Sequence, residues 1–96
     1  MSARYTDILA TVIQKVRDTV NEDWIREYPI GPQTQISRDL EIESIEMVIL
    51  ASSIQRHYGA RLSLVDWLSG RSLEDLISLS VGDLVRHIDQ ALPPDA

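Results

Sequence analysis

The sequence contains no cysteine. That excludes disulfides, thiolate nucleophiles and cysteine-based metal sites together. Histidine is almost as scarce. His57 and His87 lie thirty residues apart on what read as different helices, with no carboxylates at ligand spacing around them. Both are expected to be surface residues, and no metal site is expected. Positive charge is in the minority, with 9 Lys and Arg against 15 Asp and Glu and a formal net charge of −6. Nucleic acids and anionic membranes reward basic surfaces, so neither is expected as a partner. No apolar run approaches the roughly 18 residues that span a bilayer. The opening "MSARYTDILATVIQK" lacks the continuous apolar block of a signal peptide, so a cytoplasmic location is expected. No segment alternates as a strand would, no internal repeat is visible, and no Gly-x-Ser-x-Gly elbow is present.

What remains is helical periodicity in a chain of 96 residues, 44% hydrophobic and 25% charged, read as a single domain over 1–96. Tyr5, Ile8, Leu9, Val12, Ile13, Val16 and Val20 recur at steps of three and four, which predicts an amphipathic helix over about 3–21. Residues 22–43, with "YPIGPQTQ" inside them, read as a long loop with a short turn near 36–40. Loops of this length in small domains are often functional. A second helix is expected from Ser44 to Tyr58, closed by Gly59. Ser63 with Asp66, Ser72 with Asp75, and Ser80 with Asp83 each resemble a capping box. They predict short helices near 64–69 and 73–78 and a longer one from 81 to about 91, stopped by "LPPDA". The fold expected is all-α: three main helices with one or two short ones before the last.

The second helix carries two apolar faces. At about 100° per residue, Met47, Leu50, Ala51, Ile54 and Tyr58 share one side, which predicts core. Ile45, Val48, Ile49 and Ser52 cluster on another. Either the short helices cover that second face, or it is an exposed patch for protein contact.

Ser44 stands among Asp39, Glu41, Glu43 and Glu46 where this helix begins. The common role of a serine there is to cap the helix. The other role its position suits is to bear a covalent phosphate ester, because free N–H groups and the helix dipole stabilise an anion. The surrounding acids oppose a phosphate and make better sense as a docking surface for a basic partner. Ser44 as a catalytic nucleophile lacks a base.

The stretch "DLEIESIEMVILASSIQRHYG" resembles the core of acyl carrier proteins, whose second helix opens on Asp-Leu-Gly-x-Asp-Ser-Leu. Asp39, Leu40 and Ser44 match. Glu41 stands for the glycine, Glu43 for the aspartate and Ile45 for the leucine. "LSVGDLVRHI" is similar to the family's closing helix. The resemblance covers nearly the whole chain and implies a small four-helix bundle of the acyl-carrier type. It implies further that Ser44 carries 4′-phosphopantetheine, donated from coenzyme A by a phosphopantetheinyl transferase, and that the thiol of this arm holds acyl groups as thioesters. The protein would then be a carrier and not an enzyme, a monomer meeting acyl-loading, condensing or tailoring enzymes through basic docking surfaces. Asp39, Glu41, Glu43, Ile45, Glu46, Val48 and Ile49 are its implied partner-binding residues. The rival is a small acidic helical adaptor without a prosthetic group.

The departures from the family pattern carry expectations too. Glu41 in place of glycine predicts a backbone with no glycine-only conformation there. The segment "LSLVDWLSGRSLEDLIS" is longer than the family's usual linker, and Trp67 within it reads as a core anchor before it reads as a cavity wall or partner contact. These changes favour a specialised polyketide or fatty-acid-like pathway over standard fatty acid synthesis.

Overall fold

The computed structural model describes residues 3–59 and 62–93. Among them the chain forms α1 (Ala3–Val20), α2 (Asp23–Glu27), α3 (Ser44–Tyr58), α4 (Leu64–Ser69), α5 (Leu73–Ile77) and α6 (Val81–Ala91). The structure is all-α, in agreement with the small acyl-carrier bundle expected. The three long helices fall where periodicity placed them, and both short helices before the last are present. No helix of the described residues is long and apolar enough to cross a membrane.

The core forms where the apolar stripes meet. Ile8, Val12 and Val16 of α1 face Met47, Leu50, Ala51 and Ile54 of α3 and Val81, Leu84, Val85 and Ile88 of α6, all buried. Each of these side chains larger than that of Ala51 contributes roughly 1.5–3 kcal/mol when fully removed from water. Arg4 joins the far ends of the sequence. Its guanidinium pairs with the Asp89 carboxylate at 2.9 Å and donates to the carbonyls of Asp89 and Leu92 at 2.8 and 3.0 Å. These carbonyls close α6, where no basic residue lies in the last turn, so Arg4 supplies the cation that the negative helix end favours.

The long segment between α1 and α3 differs from expectation in one respect. It contains α2, whose single buried residue, Ile25, is too little to show as periodicity. Trp24 on α2 stays partly exposed, donates to the Glu22 carboxylate at 3.1 Å and meets Tyr28 edge to face. The turn near 36–40 is present.

That segment is then stitched to the start of α6. Val81 and Gly82 donate their N–H groups to the carbonyls of Thr34 and Pro32, both at 2.8 Å, and Ile36 donates to Leu79 at 3.0 Å. The loop thereby satisfies amides that no helical carbonyl can reach. Ser80 and Asp83 complete the capping box at the same place. Ser72 likewise accepts from the Asp75 N–H at 3.1 Å. The third box fails: Ser63 has a left-handed backbone, φ 50°, and its side chain makes no cap bond. A residue in that conformation does not aim its hydroxyl at the first-turn amides as an extended cap residue does.

Gly82 is required by the stitch. A Cβ built there would sit 2.8 Å from the Pro32 carbonyl oxygen, a backbone atom that cannot step aside. Gly82→Ala gains about 1 kcal/mol of helix propensity but incurs an overpacking cost of about 1–3 kcal/mol. Urea denaturation is expected to show a net loss of stability, and a variant as stable as the parent would contradict the fit.

Candidate functional site

The face of α3 that is buried fixes what the helix shows elsewhere. With Met47, Leu50, Ala51 and Ile54 turned inward, Ile45, Val48 and Ile49 are left 71%, 52% and 53% exposed. The short helices do not cover this second face. α4 packs beside it, on the Val48 and Ala51 side.

Ser44 is the first residue of α3, and its side chain is exposed. It does not cap the helix. Glu43, extended at φ −86° and ψ 173°, occupies the cap position, and the Glu46 carboxylate accepts from the Glu43 N–H at 3.3 Å. The Ser44 hydroxyl therefore has no bonding role in holding α3 together. It lies one step inside the positive end of a fifteen-residue helix, next to first-turn amides.

Immediately before it, the backbone takes a conformation that favours glycine without requiring it. Glu41 adopts φ +55°, the left-handed region that favours glycine. The substitution of glutamate for the family glycine leaves that conformation in place. Leu40 and Ile42 on either side are both buried, and the Ile42 N–H bonds to the Ile36 carbonyl, so the chain must reverse direction at Glu41 whatever residue stands there. The Glu41 side chain is turned outward and exposed.

The expected docking acids are not equivalent. Asp39 is exposed, but one of its carboxylate oxygens accepts from the Gln35 N–H at 2.8 Å, while its own N–H returns to the Gln35 carbonyl. It ties the turn. Glu46 is held by the cap bond already described. Glu41 and Glu43 are the exposed acids on either side of Ile42.

Beside Ser44 opens a cavity of about 190 Å³. Ser37, Ser44 and Glu43 stand on its polar side, and Ile42, Met47, Val48 and Ala51 continue along α3. The opposite wall is Val65, Leu68 and Ser69 of α4 with Leu73, Leu76 and Ile77 from α5. These wall residues were not singled out by the sequence. Their signal was there as the i, i+3 and i, i+4 spacing of Leu73, Leu76 and Ile77, but a five-residue helix gives too few turns to read.

Trp67 does not line this cavity. It packs at the margin of the core and faces a second, polar recess, where its indole stacks on the His87 imidazole at 4.1 Å and 10°. Arg71 lies over the same indole at 4.8 Å. His57 is exposed as expected, whereas His87 is partly buried in this stack. Burial, and then the Arg71 charge, hold the His87 pKa below its ordinary 6.5.

A family model described as "Phosphopantetheine attachment site" matches residues 7–80. The chain belongs to the phosphopantetheine-attachment family. The match runs from the first turns of α1 to the residue before α6, so it includes α3, the cavity walls and the loop that α6 holds. The protein is a phosphopantetheine-carrying carrier domain, and such domains are not catalytic. No curated protein and no solved structure matches the chain. The residues at the head of α3 fit such a group: an exposed hydroxyl without a structural bond, amides for an anion, and open space alongside.

Glu41 gives a test of the backbone at this site. Relief of a left-handed residue is worth about 1–2 kcal/mol, offset by the larger chain entropy of glycine, about 0.5–1 kcal/mol. Glu41→Gly is expected to stabilise the fold by about 0.5–1 kcal/mol in chemical denaturation. Destabilisation would show that the glutamate side chain outweighs its strained backbone.

Proposed function

We propose that Ser44 is the attachment residue for 4′-phosphopantetheine and that the protein delivers acyl groups between enzymes of a specialised polyketide or fatty-acid-like pathway. The observation that carries this reading is the exposed Ser44 hydroxyl at the first position of α3, freed from capping by Glu43 and Glu46. When attached, the arm supplies a thiol that holds acyl groups as thioesters.

The protein's own residues provide the rest. First-turn amides of α3 and the helix dipole favour the phosphate ester on Ser44. Ile45, Val48 and Ile49 present an apolar patch beside it, and exposed Glu41 and Glu43 with Glu46 add negative charge around that patch. Asp39 contributes to the same field while it ties the turn. A partner with a basic surface and an apolar contact at its centre matches this arrangement, beginning with the phosphopantetheinyl transferase. Steering by the acids speeds encounter, and the small patch keeps complexes short-lived, as suits a carrier that visits several enzymes in turn as a monomer. Tethering replaces diffusion of a free substrate by a raised local concentration.

Incubation with coenzyme A and a broad-specificity phosphopantetheinyl transferase, followed by intact-mass spectrometry, is expected to show one phosphopantetheine added to the parent and none to Ser44→Ala. Because the hydroxyl makes no cap bond, Ser44→Ala is expected to change stability by less than about 0.5 kcal/mol. A folded alanine variant that gains the mass would displace Ser44 from this role, and a parent that gains none beside a loaded control would favour the adaptor reading.

Ile45→Ala tests the patch. The side chain is 71% exposed, so its truncation is expected to leave the melting temperature nearly unchanged while lowering the transferase's kcat/KM. Unchanged kinetics would remove Ile45 from the docking surface.

A further inference from the structure

The short helix α4 has two anchors of different kinds. Toward the core it buries Leu64 and Leu68, and the Val65 N–H bonds to the Gln55 side chain of α3 at 3.3 Å. On its other side Trp67 stacks on His87 of α6. Six residues do not hold a helix by themselves, so these tertiary anchors keep α4 in place. Val65, Leu68 and Ser69 of the same helix form part of the wall beside Ser44.

We propose that the Trp67–His87 stack is a latch between α4 and α6, and that protonation of His87 releases it and loosens the α4 wall of the cavity beside Ser44. Its bearing on Ser44 rests on the attachment reading above; the release itself does not.

The reason is the charge around the recess. An imidazolium on an indole face is ordinarily attracted to it, but the Arg71 guanidinium already occupies that indole at 4.8 Å. The carboxylates that could receive a second cation are engaged. Asp75 of α5 pairs with Arg71 at 4.0 Å, and Asp83 of α6 pairs with Arg86. The recess thus balances two guanidiniums with two carboxylates, and a charged His87 adds a positive charge with no carboxylate left for it. Partial burial of the ring adds to the cost. The lowered pKa of His87 agrees in direction. The sign follows: the folded state favours neutral His87, so the latch is at full strength above the ordinary value of 6.5 and weakens as pH falls below it through the lower folded value.

The test is a titration of the unmodified chain from about pH 8 to about pH 5 by two-dimensional NMR. The Val65 and Leu68 methyl signals and the Trp67 indole N–H are expected to move together with the His87 ring, at a midpoint below 6.5. His87→Phe, which keeps a stacked ring without a titrating group, is expected to abolish that movement. His87→Gln, which removes the ring, is expected to show the acid-form methyl positions at neutral pH. Methyl signals indifferent to the His87 titration, or the same acid movement in His87→Phe, would overturn the latch. Ser44→Ala is expected to titrate like the parent, so a failed latch and a failed attachment site are told apart.

Discussion

The rotation of α3 about its own axis decides most of what this protein presents to its surroundings. Burial of Met47, Leu50, Ala51 and Ile54 against α1 and the rest of the core admits one setting of that helix. At about 100° per residue, that setting places Ile45 and Ile49 on the solvent side and Val48 and Ser44 along the edge that overlooks the cavity. Rotation by one residue would bring Leu50 out of the core in one sense and Met47 in the other, and the loss of one such core side chain is worth about 2–5 kcal/mol. The position of the Ser44 hydroxyl is therefore a property of the core more than of the loop that precedes it.

The loop contributes a different constraint. It is tied to α6 through Pro32 and Thr34, to Leu79 just before that helix through Ile36, and to itself through Gln35 and Asp39. It then reaches α3 by a left-handed reversal at Glu41 between two buried residues. The strain at Glu41 is local and is sustained because both neighbours are held. Glu43 and Glu46 then close the helix end between them, and a serine that would ordinarily cap is left without that task. The attachment role we propose for Ser44 suits this division of labour, because modification of a hydroxyl without a cap bond breaks no bond of the fold.

Much of the fold was legible from spacing. The stripes of α1, α3 and α6 are long enough for a 3.6-residue period to show, and Gly59 and the Ser80–Asp83 box mark helix ends by their chemistry alone. α2 was not legible, because Asp23–Glu27 is one turn with a single buried side chain. The left-handed turn at Glu41 was not legible, because a glutamate argues against φ > 0; the burial of Leu40 and Ile42 outweighs that preference. Of the candidate site, the place of Ser44 at the head of α3 and the second apolar face of Ile45, Val48 and Ile49 were visible in the sequence, whereas the question of cap or free hydroxyl was not, since it turned on which of two adjacent residues is extended. The Trp67–His87 stack lay beyond any local pattern. Its partners are twenty residues apart and meet only once α4 and α6 have packed.

The family places a phosphopantetheine on this chain, and Ser44 is the residue we propose to carry it. Ser37 and Ser69 also border the cavity, so the choice among hydroxyls is open to direct measurement. Proteolysis of the loaded protein, followed by fragmentation of the peptide bearing the added mass, locates the ester to a residue. The expected result is Ser44 alone; a phosphopantetheine found on Ser37, Ser69 or any other hydroxyl would contradict the proposed attachment.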